Sequence, residues 1–99
     1  MTDVVNPAQP LTASGQVKDS NGTVLPKGGY FRCAVLNPAT TVCRVIIYDN
    51  TTGSGRVLAD VAAAANDKST ASPDYRIPFS IGLYAVISGA PTSVLVYYE

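Results

Sequence analysis

The 99-residue chain contains no histidine and no tryptophan, one methionine and two cysteines, and only 14% of its residues are charged. Each of these gaps excludes something. Without histidine, neither a Ser-His-Asp nor a Cys-His arrangement can be assembled from the chain, and the commonest general acid/base is missing. Cys33 and Cys43 lack the further Cys or His residues that would complete a tetrahedral zinc site. They are expected as buried thiols, or as a disulfide pair if the compartment oxidises. The six aspartates are spaced singly through loops and strand ends, so no facing pair of carboxyl groups for glycoside hydrolysis is expected. Neither Gly28-Gly29 nor Gly53-Ser54-Gly55 has the lysine or third glycine of a phosphate-binding loop. The expectation is a chain that is not an enzyme and carries no catalytic residue, cofactor or metal.

An excess of either charge is lacking as well. Seven Lys and Arg balance seven Asp and Glu without a cluster of either, whereas nucleic-acid binding relies on a basic stripe to neutralise phosphates. No apolar run approaches the roughly 20 residues of a membrane span. The first residues have neither the basic start nor the apolar stretch of a secretory signal. Nucleic acid and membrane are therefore not expected as partners, and synthesis in a cytoplasm is.

What is present favours sheet. Twelve Val, five Ile, nine Thr and six Tyr stand against six Leu and one Glu, and β-branched and aromatic side chains fit a pleated, half-buried surface. Residues 1–10, with Pro7 and Pro10, read as an extended N-terminal arm, either disordered or docked on a neighbour. Residues 11–99 read as one domain of about seven or eight short strands separated by turn residues, the pattern of an antiparallel β-sandwich of jelly-roll type. Asp19-Ser20-Asn21-Gly22 is a tight turn by its Asn-Gly pair. Residues 56–65 alternate like a strand, although their alanine run also suits a short helix.

Residues 30–36 read as a long strand and residues 41–49 as the most strand-like run, and Asn37-Pro38-Ala39 between them is expected to close a hairpin. Gly89-Ala90-Pro91 is expected to close another between the last two strands. A symmetric first hairpin sets Cys33 opposite Cys43 and puts Phe31, Cys33, Val35, Cys43, Val45 and Ile47 on the core face. Its other face carries Arg32, Leu36, Val42, Arg44, Ile46 and Tyr48, with the two arginines opposed, which a sheet disfavours unless something acidic or polar lies across them. Either this register differs and both arginines reach water, or a partner surface covers them. Candidate contact residues are Val4, Val5, Pro7 and Pro10 on the arm and Arg32, Arg44 and Tyr48 on that face. Tyr75, Tyr84, Tyr97 and Tyr98 are either half-buried packing or rings on which a sugar could stack.

Three stretches carry a resemblance. Cys43-Arg44-Val45-Ile46-Ile47-Tyr48-Asp49-Asn50 leads into Gly53-Ser54-Gly55-Arg56-Val57-Leu58-Ala59; Ile81-Gly82-Leu83-Tyr84-Ala85-Val86-Ile87-Ser88-Gly89 follows, then Ser93-Val94-Leu95-Val96-Tyr97-Tyr98-Glu99. In this order they resemble small β-sandwich structural proteins of tailed bacteriophages, of the head decoration or fibre type, over roughly residues 30–99. The resemblance implies a virion protein, made in the bacterial host cytoplasm, that binds the outer surface of the head as a capsid decoration or cement protein. The major capsid protein or another virion protein is the implied partner. A homo-oligomer, a trimer by analogy, is also implied. The alternative is a tail, fibre or baseplate domain that binds a receptor or carbohydrate.

Overall fold

The computed structural model of the chain describes residues 5–25, 28–71 and 76–99. Val4, a candidate contact residue, and Tyr75, one of the tyrosines considered for sugar stacking, lie outside them. The described residues form nine strands: β1 (Asn6–Pro7), β2 (Gly15–Gln16), β3 (Gly29–Asn37), β4 (Cys43–Asp49), β5 (Arg56–Ala63), β6 (Ser69–Ala71), β7 (Ile77–Phe79), β8 (Tyr84–Ser88) and β9 (Ser93–Tyr98). Every pairing is antiparallel. One sheet has the order β1-β9-β3-β6, with β7 also pairing β3; the second has the order β2-β8-β4-β5. The two sheets pack together as a small β-sandwich.

Its interior follows from alternation. From the first sheet Phe31, Leu36, Val94 and Val96 point inward, and from the second Cys43, Val45, Ile47 and Ala85 meet them, all essentially excluded from solvent. Burying each larger side chain contributes about 1.5–3 kcal/mol. The ambiguous run after Gly55 is a strand, β5, which pairs with β4 from Asp49–Arg56 to Cys43–Ala63. The Asp19–Gly22 turn also forms, with Asp19 Oδ1 accepting from the Asn21 and Thr23 amides, both at 2.9 Å. Only Gly22, at φ 83°, takes the left-handed conformation there.

Neither expected hairpin exists. β3 and β4 lie in opposite sheets, as do β8 and β9, so residues 38–42 and 89–92 cross between layers. The period-two pattern shows which face of a strand is buried. It is the same whether two strands lie side by side or face each other across a core. The two crossings meet at one end of the sandwich, where the Thr92 amide donates to Asn37 O at 2.9 Å. Gly89, at φ 81°, allows that approach, since a Cβ there would stand 2.5 Å from Val42 O.

The expected core face is right for Phe31, Cys43, Val45 and Ile47, and wrong for Cys33 and Val35, as is the expected outward position of Leu36. A β-bulge between Phe31 and Cys33 adds one residue to β3 against β9. The extra residue reverses the phase of the strand. Ala34 and Leu36 therefore enter the core, while Cys33 and Val35 stay half-buried on the outside.

The thiols consequently lie on different sheets, Cys43 facing inward and Cys33 outward, and both are free. Burial pushes the Cys33 thiol up, with Arg32 partly offsetting it. Alkylation of the denatured chain after air oxidation is expected to label both cysteines. Loss of both labels from chains that stay monomeric would require the pairing that the sandwich precludes.

The N-terminal segment is extended, and from Asn6 it lies on its own domain. Asn6 and Pro7 pair with Tyr98 and Tyr97. The Ala8 amide donates to Val96 O (2.8 Å), and Leu11 and Val94 exchange both main-chain bonds (2.9 and 2.7 Å). These residues are thus neither disordered nor, in the single chain, docked on a neighbour.

Candidate docking face

Residues directly opposite each other on paired strands share a face. On the outside of the first sheet this brings Pro7, Tyr97 and Cys33 into one row and Leu95, Val35 and Thr70 into the next. Asn37 and Ser93 follow, joined by a 3.1 Å side-chain hydrogen bond. At the opposite end stands a charged cluster. Arg32 Nη1 lies 2.6 Å and Arg76 Nη1 3.3 Å from the Glu99 carboxylate, and the Arg76 guanidinium sits 4.4 Å above the Tyr30 ring. Glu99 is held there by its main chain, which exchanges both hydrogen bonds with Tyr30. Arg32, the residue within the bulge, lies outward beside Glu99. The centre of this face is a half-exposed apolar strip, Val35, Leu95 and Tyr97, bordered by Pro7 and Cys33.

The outside of the second sheet is different. Arg44, Ile46 and Tyr48 of β4 align with Ala62, Asp60 and Val57 of β5 and with Ser88, Val86 and Tyr84 of β8. Arg44 grips Asp60 diagonally with two hydrogen bonds, Nε to Oδ1 at 2.8 Å and Nη2 to Oδ2. Those bonds hold the Asp60 carboxyl below the usual carboxylate range and raise Arg44. The loop after β4 then folds back over part of this surface. Gly53 lies against it so closely that a Cβ there would stand 2.7 Å from Val86 Cγ2 and 3.5 Å from Tyr84 Cε1.

The structure therefore separates the residues that the sequence grouped. Pro7 and Arg32 belong to the outer face of the first sheet, whereas Arg44 and Tyr48 belong to that of the second. Val5 is exposed at the start of β1, and Pro10 is exposed further along the same edge. The opposition of Arg32 and Arg44 does not arise, because they lie on different sheets, where each has its own acid, Glu99 and Asp60. Arg44 and Asp60 are both largely exposed, and water screens such a pair. Arg44→Ala is expected to leave the urea midpoint nearly unchanged. A large loss would mean that the pair has a structural role its exposure hides. Tyr84, Tyr97 and Tyr98 are all half-buried, and Tyr98 packs against the core.

Sequence reasoning also misplaced Asp49. Expected as a solvated strand end, it is buried, and its carboxylate accepts from the amides of Ser80 (3.1 Å), Ile81 (2.9 Å) and Gly82 (3.4 Å). Burial alone would raise its pKa. The three main-chain N–H groups, with Arg56 nearby, outweigh that and hold it below the usual carboxylate range. A carboxylate so held neither gives nor takes a proton near neutrality. Its work is to tie the end of β4 to the connection between β7 and β8. The one local hint is Gly82, whose missing side chain leaves room for Asn50 O 3.4 Å from the Cβ position.

Among the described residues there is no ligand-sized cavity and no group of three or more potential metal-binding side chains. Asp19, Asp49, Asp60 and Glu99 are each engaged with another part of the chain. What this arrangement offers a partner is surface: a mostly apolar strip with paired charges at one end and amide and hydroxyl groups at the other. The chain matches no known protein family, no curated protein and no solved structure.

Proposed function

We propose that this chain is a non-catalytic structural protein of a tailed bacteriophage virion that docks on other protein subunits through the outer face of its first sheet. Its place in the particle is on the outside of the head, as a capsid decoration or cement protein. The major capsid protein or another virion protein is its partner, and copies of the chain associate with one another.

The observation that carries the docking reading is the strip of Val35, Leu95 and Tyr97 on a face whose neighbouring charges are already paired within the chain. Interface centres are depleted of unpaired charge and enriched in aromatic and aliphatic groups, with a polar rim. The second sheet offers less, because the loop at Gly53 covers part of its outer face. The virion setting is supported by the resemblance of residues 30–99 to phage structural proteins. Quantitative mass spectrometry of purified particles tests it. Copies in stoichiometric ratio to the major capsid protein are expected. A handful per particle would instead favour the tail, fibre or baseplate reading, and absence would overturn the virion reading.

A further inference from the structure

We infer that the first strand is an exchangeable strap: residues 5–11 can leave β9 of their own chain and occupy the same seat on β9 of a second copy. The inference does not rest on the virion reading. It requires only that two copies meet.

Three features of the strand support it. Its anchorage is mostly main chain, with Ala8 the one fully buried residue among residues 5–11 and Leu11 partly buried against the core. Its main-chain bonds, Ala8 to Val96, Gln9 to Lys18 and the reciprocal pair between Leu11 and Val94, can all be remade identically on β9 and Lys18 of a second copy. Pro7 and Pro10 donate no main-chain bond, which lightens the ladder further. Beyond it, residues 12–14 are exposed and form the crossing from the first sheet to β2 in the second. A short exposed crossing of this kind is where a terminal element swings out when identical chains exchange it.

The occupant is specified by the seat. Opposite Val96 the seat admits a small inward side chain, which Ala8 supplies, and at Pro7 and Pro10 it asks for no N–H. The same segment of another copy meets all of these requirements. Val94 and Val96 also pair with Leu36 and Ala34 of β3, contacts that the exchange leaves in place.

Pro7 and Tyr97 stand directly opposite across the seat, which provides the test. Chains carrying Pro7→Cys and chains carrying Tyr97→Cys, both with Cys33→Ser, are mixed, incubated at high concentration, oxidised and digested. A bond between residue 7 of one chain and residue 97 of the other is expected. Recovery of unlinked chains, or of 7–7 and 97–97 links alone, would overturn the inference. In a second variant, deleting residues 12 and 13 shortens the crossing so that the strand cannot reach its own β9. That variant is expected to be a dimer in which the Val94 amide, which donates to Leu11 O, stays as protected from hydrogen exchange as in the parent. A monomer, or a dimer in which that amide exchanges about 100-fold faster, would contradict it.

Discussion

Replacing Asp49 with alanine is expected to lower the melting temperature by roughly 10–20 °C, the shift that about 3 kcal/mol produces in a domain of this size. The substitution removes a buried acceptor and leaves the amides of Ser80, Ile81 and Gly82 facing it without a partner. Each buried donor left unsatisfied costs about 1–3 kcal/mol, reduced where water can enter. Asp49→Asn should be intermediate, since it keeps one oxygen but sets an NH2 group against N–H donors.

The acid dependence has a definite sign. The Asp49 carboxyl titrates lower in the folded chain than its ordinary value, so its contribution is fully present above about pH 4 and lost as pH falls through the folded value. Urea midpoints measured from neutrality down to strong acid should therefore fall more steeply for the parent than for Asp49→Asn. Equal slopes would mean that the carboxylate is not held by those amides.

The second large effect distinguishes neighbours on β3. Leu36→Ala is expected to cost about 3 kcal/mol, because it opens a cavity between the sheets. Val35→Ala is expected to cost under about 1 kcal/mol, since that side chain lies half-exposed on the outer face. Urea denaturation of the two variants decides it. The reverse order is what the uninterrupted alternation of Phe31, Cys33 and Val35 would require, and it would remove Val35 from the docking face.

That contrast shows where sequence reading of this chain succeeds and where it stops. Fold class was legible because β-branched and aromatic residues occur in short alternating runs, and the same alternation identified the inward face of β4 but left β5 open between strand and helix. Strand partnership was not, since Phe31 and Val45 face each other's sheets across a core that alternation describes equally well as one face of a hairpin. The bulge at Arg32 has no local signature and is stabilised from afar, by Glu99 some 67 residues along the chain. Asp49 was missed for a related reason. Its partners are main-chain amides 31–33 residues away, which no side-chain pattern reports. Of the candidate contact residues, Pro7 and Arg32 share the face built around Val35, Leu95 and Tyr97, and the last three were not singled out together because they come together only when β9 lies beside β3.

The central claim is that this face holds the chain to its partner, and retention on purified particles measures it directly. The parent chain and a Leu95→Asp, Tyr97→Asp variant should be compared at equal expression, with folding verified by circular dichroism. Both substitutions lie on the outer surface, and their cost to folding should be about 1 kcal/mol each. The parent is expected to copurify with the particles in many copies and the folded variant to be lost from them. Equal retention of both chains would contradict the assignment of the docking face.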